Sequence, residues 1–320
     1  MSNSMRFDNK LEIRYAFNDK SNYMDSWVLH RCEKEVLNLI RSLADMLDVS
    51  LTVYNQPYDQ VGGFRERLAV AGADSRSISI VLNLAMRLLT TPTLSVGGQH
   101  SVDRSATDEA VIQQELAVLR RELRLHNLEH APSNRLVELL GASPRFCKCK
   151  SNFFEALKGY PKVTKVSVRE LNGRDRIRSG SLEVRRERFD SFILRSDNLP
   201  MVRDQKATIE IISPVLNDSK IRWKGIYNKG GILIDFYMQD EDFKQQMIED
   251  KLTFTNGMCI DCVLEISRRL SEMGEITPVA YSVTTVIRTR TDKLEILTPQ
   301  GKRHLRKLEA EKRQLTINFG

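Results

Sequence analysis

The first hundred residues alternate between strand-like and helix-like hydrophobic patterns. Residues 11–17 (LEIRYAF) alternate with a period of two, which predicts a strand with one buried face. Over residues 27–47 the apolar positions recur every three or four residues, which predicts an amphipathic helix capped by Asp25. Residues 50–54 predict a second strand. Residues 78–89 are apolar enough to be buried, but their periodicity does not separate a strand from a helix; we favour a strand that passes into a helix.

The middle of the chain is predicted to be helical. Helix-like patterns cover residues 108–126, 134–140 and 152–158. From residue 163 the period changes to two, so residues 163–171 and 181–188 are predicted strands, joined by a turn rich in glycine and arginine.

The clearest unit follows a linker-like stretch at residues 195–204. Three short strands, a helix starting at Asp240 and further strands are predicted, the strands being residues 206–213, 221–227, 232–238, 252–254, 258–266 and 279–288. So many short strands favour a small closed barrel, because closure leaves no exposed edge. The order also matches an OB-like barrel, whose helix lies between its third and fourth strands.

The expected fold class is α+β in several parts. A chain of 320 residues can hold two domains of ordinary size. We expect an N-terminal α/β domain (1–100), a helical segment (101–160), a β-hairpin with linker (161–204), a small closed β-barrel (205–290) and a basic helical tail (291–320).

Composition and cysteine count indicate a cytoplasmic protein. A hydrophobic fraction of 41% and a charged fraction of 28% are those of a globular chain. No run approaches the roughly 18 apolar residues of a membrane helix, and the polar N-terminus predicts no signal peptide, so no membrane partner is expected. Five cysteines, an odd number, indicate free thiols in a reducing compartment.

Most of the formal net charge of +7 lies near the C-terminus. From residue 286 to the end, nine lysines and arginines stand against four acids. Such a tail favours a polyanionic partner, nucleic acid first; the alternative is a solvated helix that happens to be basic. The candidate binding residues here are Lys302, Arg303, Arg306 and Lys307.

Two further segments are candidate nucleic-acid contacts. The turn at residues 172–180 carries Arg174, Arg176 and Arg178, although a solvated hairpin tip explains them equally well. A barrel strand places Arg222 and Lys224 on one face, where cations could track phosphates while a ring such as Tyr237 stacks a base. Trp223 and Tyr227, on the other face, would then fill the barrel.

No cofactor, metal or catalytic residue is predicted. Cys147, Cys149, Cys259 and Cys262 could together offer four thiolates to zinc, but an i, i+3 pair on a strand points to opposite faces. We therefore expect Cys262 in the barrel core. No nucleophile elbow or phosphate-cradling loop occurs, and a histidine near a helix C-terminus, such as His126, is explained by the helix dipole.

Four segments of the C-terminal half resemble the small β-barrel of uncharacterised bacterial two-domain proteins: 212–216 (ISPVL), 223–227 (WKGIY), 234–243 (IDFYMQDEDF) and 254–262 (FTNGMCIDC). Residues 11–54 are similar to the N-terminal domain of such proteins. The resemblance implies an N-terminal α/β domain and a C-terminal five-stranded barrel, and it suggests a place in anti-phage defence or mobile elements. The family has no established activity, so it assigns no functional residue.

The leading hypothesis is a non-enzymatic accessory or sensor protein that binds DNA or RNA. One alternative is a structural protein that forms homo-oligomers or docks a partner enzyme. Another is an effector nuclease whose site leaves no motif.

Overall fold

The computed structural model describes residues 7–19, 21–56, 63–93, 106–125, 132–178, 180–215, 221–249, 255, 257–291 and 294–317. The chain divides into two units: Met1–Asp197 with Leu270–Glu275, and Asn198–Arg269 with Ile276–Gly320.

The first unit is an antiparallel sheet with helices packed on one side. Its elements are β1 (Asn9–Phe17), α1 (Ser26–Leu47), β2 (Leu51–Asn55), β3 (Phe64–Gly72), α2 (Ser75–Thr90), α3 (Ala106–Arg124), α4 (Asn134–Gly141), α5 (Pro144–Lys158), β4 (Val163–Asn172), β5 (Leu182–Arg185) and a 3-10 helix (Arg186–Phe192). The strand order is β2-β3-β1-β4-β5, and each neighbouring pair is antiparallel. The described helices of the middle segment share one hydrophobic core with this sheet.

Most sequence-based elements of this unit are confirmed, with three corrections. Asp25 caps α1 by accepting from the backbone N–H groups of Trp27 and Val28, as expected. The strand expected at the start of residues 78–89 is wrong: these residues lie in one helix, α2, whose only partly buried polar positions Ser79, Asn83 and Arg87 recur every four residues. Strand β3 had no prediction, and residues 186–188 belong to the 3-10 helix rather than to a strand.

The second unit is a closed five-stranded barrel with a C-terminal helix. Its elements are β6 (Asn198–Ser213), β7 (Trp223–Tyr227), β8 (Ile232–Met238), α6 (Glu241–Ile248), β9 (Cys259–Leu270), β10 (Ile276–Thr291), β11 (Leu294–Leu297) and α7 (Pro299–Ile317). The strands pair in the ring β6-β7-β8-β10-β9, which closes from β9 back to β6, and β8 pairs with β10 in parallel. With α6 between the third and fourth strands, this is the strand order of an OB barrel, as the sequence indicated.

The linker expected at residues 195–204 is wrong from residue 198 onward. Strand β6 begins at Asn198 and runs through Pro200, which a strand interior normally excludes because proline lacks an N–H donor. The register with β9 shifts between Leu199 and Val202, so the proline lies at an irregularity of the ladder. The short strand expected at residues 252–254 falls outside the described residues.

Packing inside the barrel confirms the core assignments. Trp223, Tyr227 and Cys262 are buried in one cluster, where the Trp223 ring lies 6.1 Å from that of Phe236. Gly225 lies within this core, and a Cβ atom added there would lie 2.7 Å from the Glu210 carbonyl oxygen and 2.5 Å from Ile209 Cγ2. The barrel therefore has no room for a larger residue at position 225.

Gly225→Ala tests this packing. We expect a loss of about 1–3 kcal/mol in the free energy of unfolding of the barrel, because the new methyl group meets backbone. Chemical denaturation monitored by tryptophan fluorescence measures it. Gly180→Ala is the matched control, because a Cβ there contacts nothing within 4 Å; an equal loss in both variants would contradict the packing argument.

A buried carboxyl group lies in the core of the first unit. Burial, followed by the nearby Glu33 carboxylate, raises the pKa of Glu66 to about 8, against the opposing hydrogen bond that the Tyr15 hydroxyl donates to it at 3.1 Å. The folded protein therefore holds this proton more tightly than the unfolded chain does. Its stabilising effect is complete below the unfolded pKa of about 4.3 and is lost as the pH rises towards 8.

Glu66→Gln should remove this pH dependence. The amide keeps the shape without ionising, so the variant should gain Tm relative to the wild type as the pH rises from 5 to 8. Thermal melts of both proteins across that range provide the measurement. A constant difference in Tm at every pH would contradict the assignment.

Candidate nucleic-acid interface

The turn between β4 and β5 presents the predicted arginines on a fixed backbone. The Asn172 side-chain oxygen accepts from the backbone N–H groups of Arg174 and Arg176, at 2.9 and 3.0 Å. Asp175 adopts a left-handed conformation with φ 60°, which closes the turn. We call residues 172–178 the arginine turn.

The three arginines of this turn differ in their contacts. Arg174 and Arg176 are exposed, and neither side chain forms an ion pair with a described residue. Arg178 donates to the Asp8 carbonyl at 3.4 Å and has its Nε 3.8 Å from the buried Glu170 carboxylate. Arg174 and Arg176 are therefore the members of the turn that remain available to an external anion.

Asp175 fixes the turn against the sheet. Its carboxylate contacts Lys10 Nζ at 2.7 Å on β1 and Arg67 Nη1 at 3.2 Å on β3. The hydrogen bond from Lys10 is the main cause that lowers the pKa of Asp175, so the pairing persists at neutral pH. The turn is thereby attached to two strands that precede it by more than a hundred residues.

A second carboxylate, Glu12, binds the three central strands together. It is fully buried; Arg67 donates to one oxygen at 2.8 Å, and Arg169 Nε donates to the other at 2.8 Å. Burial would raise the pKa of Glu12, but the hydrogen bonds from Arg67 and Arg169 outweigh it and hold the pKa below its ordinary value. The two arginines are thus held side by side across the sheet.

These contacts lie on the side of the sheet that faces away from the helices, which we call the open face. Because side chains alternate along a strand, Lys10, Glu12 and Arg14 lie opposite the core residues of β1. The register places Arg14 directly opposite Arg65, and Lys165 opposite Arg185. The register thus brings like charges next to each other, although like charges directly opposite on neighbouring strands repel. Positive charge is therefore concentrated on this face.

Positive charge is in clear excess across the open face and its turn. Among the described residues of this surface, ten cations stand against four carboxylates: Lys10, Arg14, Arg65, Arg67, Lys165, Arg169, Arg174, Arg176, Arg178 and Arg185, against Asp8, Glu12, Asp175 and Glu183. Along β4 the row from Lys165 to the turn extends about 23 Å at 3.3 Å per residue. That length allows contacts to several successive phosphates.

Two aromatic rings lie at the β2 side of this face. Tyr54 pairs with Ala69, which in turn pairs with Lys10, so its ring shares the face with the cations. The Phe7 ring lies 5.2 Å from that of Tyr54, and Tyr54 is 41% exposed. Rings beside cations are the combination that holds unpaired bases.

The barrel residues predicted from sequence lie on the outside of β7 and in the residues just before it. Arg222 Nε donates to the Tyr237 hydroxyl at 3.0 Å, and its guanidinium lies over that ring at 5.0 Å. Lys224 is exposed, and its register partner is Asp235. On this surface one of the two predicted cations therefore has an acid directly opposite it.

The basic tail is a helix mounted on the barrel. Thr298 caps α7 by accepting from the Gly301 N–H at 2.9 Å, and Gly301 packs directly against the Ile287 carbonyl. The predicted residues Lys302, Arg303, Arg306 and Lys307 are all exposed on this helix. Arg303 forms an ion pair with Asp242 of α6; the other three form none with described residues.

The cysteines and the described histidines do not gather into a metal-binding cluster. Within the described part of the chain, no group of three or more histidine, cysteine or acidic residues could hold a metal ion. Burial raises the pKa of the Cys149 thiol to about 12, and Cys147 donates to the Gly141 carbonyl. His126 and His130 lie outside the described residues. None of the described helices is long and apolar enough to cross a lipid bilayer.

Sequence reasoning identified the arginine turn but missed the open face. Lys10, Arg14, Arg65, Arg67, Lys165, Arg169 and Arg185 were not candidates. A signal was present in β1, where the charged residues Lys10, Glu12 and Arg14 alternate with apolar positions. It could not be read as a cationic surface without knowing that β3 and β4 flank that strand.

Glu12→Gln tests whether this carboxylate organises the open face. Loss of the buried charge leaves Arg67 and Arg169 with a neutral partner, so we expect unfolding free energy to fall by about 2–4 kcal/mol at pH 7. Because the folded pKa is lowered, the deficit should shrink as the pH falls below about 4. Denaturant titrations of both proteins at pH 7 and at a pH below about 4 measure the difference in unfolding free energy.

Glu183→Gln is the control on the same face. Glu183 is exposed and its partner Lys165 is partly exposed, so the change should be within about 1 kcal/mol. Equal effects from both substitutions would show that Glu12 has no special role.

No protein-family model, no curated protein and no solved structure matches this chain. The structure shows the five-stranded closed barrel that the resemblance implied. Membership in a bacterial two-domain family stays a prediction.

Proposed function

We propose that the protein binds nucleic acid through the open face and the arginine turn of its first unit. The observation that carries this proposal is the excess of ten cations over four carboxylates in the part of this face and its turn that the structure describes. An unbalanced cationic face attracts a polyanion, and release of its counterions favours binding.

The residue types support phosphate as the group that is bound. Eight of the ten cations are arginines, and four of these are exposed: Arg174, Arg176, Arg178 and Arg185. The planar fork of donors on an arginine matches the oxygens of a phosphate. Glu12 and Asp175 hold Arg67, Arg169 and the turn in place before any ligand arrives. A preorganised site loses less side-chain entropy on binding.

Unpaired nucleic acid fits this surface better than a regular duplex. Tyr54 and Phe7 offer ring surface beside the cations, and bases can stack on rings only when they are free of a partner. The same pairing of a cation with a ring occurs at Arg222 and Tyr237 on the barrel. The exposed cations of α7 would add phosphate contacts that carry no sequence preference.

A role as an accessory or sensor in anti-phage defence or a mobile element rests on the sequence resemblance alone and stays a prediction.

The variant Arg174→Ala/Arg176→Ala/Arg185→Ala should bind single-stranded RNA or DNA more weakly than the wild type. All three side chains are exposed and lack described ion pairs, so the fold should be unaffected. We expect about a tenfold or larger loss of affinity near ~50 mM salt, and a salt slope lower by about 0.7 for each lost phosphate contact. Fluorescence anisotropy with labelled single strands and duplexes at several salt concentrations measures both quantities.

Arg31→Ala/Lys34→Ala/Arg121→Ala is the matched control. It removes the same charge from exposed positions on α1 and α3, away from the open face. Equal losses in the two triple variants would indicate attraction to net charge rather than a site. Failure of the wild type to bind any probe at low salt would reject the proposal.

A further inference from the structure

The sheet of the first unit has two edges of different character. At one edge, β5 carries Glu183 and Arg185 and passes into the 3-10 helix. At the other edge lies β2, whose sequence LTVYN contains no charge and no proline. Among the described residues β2 pairs only with β3. A neutral, regular edge strand is a ready template for pairing with another strand.

A groove lies beside this edge. It has a volume of about 520 Å³ and runs between α1 and β2. Its apolar lining comes from both elements and includes Leu37, Ile40, Ala44, Leu51 and Val53. Leu37, Leu51 and Val53 are only partly buried, so a strand added at β2 would find apolar side chains to cover.

Two charges of opposite sign lie on the rim of the groove. Arg41 and Asp45 are one helical turn apart on α1, and both are exposed. Neither side chain forms an ion pair or hydrogen bond with a described residue. Each side chain is therefore available to a group of opposite charge on an external partner.

These features are complementary to themselves under a two-fold rotation. When β2 pairs antiparallel with a second β2 about an axis at Val53, the α1 helices of the two copies run antiparallel across the seam. In such an interface residue i contacts residue j and j contacts i. Arg41 of each copy then faces Asp45 of the other, and no like charges oppose each other between the two neutral strands.

We propose that two copies of the chain pair through β2 and form a homodimer with one continuous sheet. The groove of each copy receives the Leu51 and Val53 side chains of the other. The alternative occupant, a strand from a different protein, would need its own acid and base in the reciprocal order, whereas a second copy supplies them by symmetry.

The charge pair allows a direct test by sedimentation equilibrium on the full, nucleic-acid-free protein. We expect the wild type to dimerise. Arg41→Glu and Asp45→Lys should each weaken the dimer about tenfold or more, because each creates two repulsive contacts. A mixture of the two variants should dimerise again, because the acid introduced at position 41 of one chain then faces the base introduced at position 45 of the other.

Lys34→Glu is the control, an exposed charge reversal on α1 that does not line the groove. It should leave the dimer unchanged, and circular dichroism should show the same helix content in all variants. A monomeric wild type would overturn the proposal and leave the edge to another protein's strand. A dimer that neither single substitution weakens would also overturn the proposal. A mixture of the two variants that stays monomeric would overturn it as well.

Discussion

The first unit depends on one buried carboxylate in the middle of its sheet. Glu12 lies between Arg67 and Arg169 and joins β3, β1 and β4 through charge-assisted hydrogen bonds. Without it, two guanidinium groups would repel each other within the same surface. The cationic character of the open face is therefore possible because a single fully buried acid offsets the charges at its centre and leaves those at its margin exposed.

A buried carboxylate also joins the elements of the second unit that carry cations. Asp240 caps α6 by accepting from the Phe243 N–H at 2.9 Å, and it also accepts from the Val286 N–H on β10 and from Gln300 on α7. This one carboxylate links the two helices to a barrel strand. In each unit, the hydrogen bonds accepted by a buried acid hold together the elements that carry exposed lysines and arginines.

The hydrophobic pattern of a segment predicted its secondary structure where the segment buries only one face. The prediction failed for β3, where residues distant in the chain bury both faces. β1 and α1 follow from their periodicity because each buries one face. β3 has no alternation because Ala69 is buried between Tyr54 and Lys10 on the open face while Leu68 and Val70 enter the core. Helix α2 was misread although its own sequence carried the signal, since the polar residues Ser79, Asn83 and Arg87 recur every four residues.

The candidate site shows the same limit. Arg174 and Arg176 could be found from sequence because the turn is continuous in the chain. The open face could not, because it forms only when β1 and β4 pair across more than 150 residues and bring Glu12 opposite Arg169. Its cations are scattered singly along strands, where each alone is explained as a solvated side chain.

We expect single-stranded nucleic acid to lie on the open face of the first unit. Ultraviolet cross-linking of the wild-type protein to a labelled single strand, followed by peptide mass spectrometry, tests it most directly. We expect adducts in peptides that contain Phe7, Tyr54 or the arginine turn. Adducts confined to the barrel and α7, with none on these peptides, would contradict it.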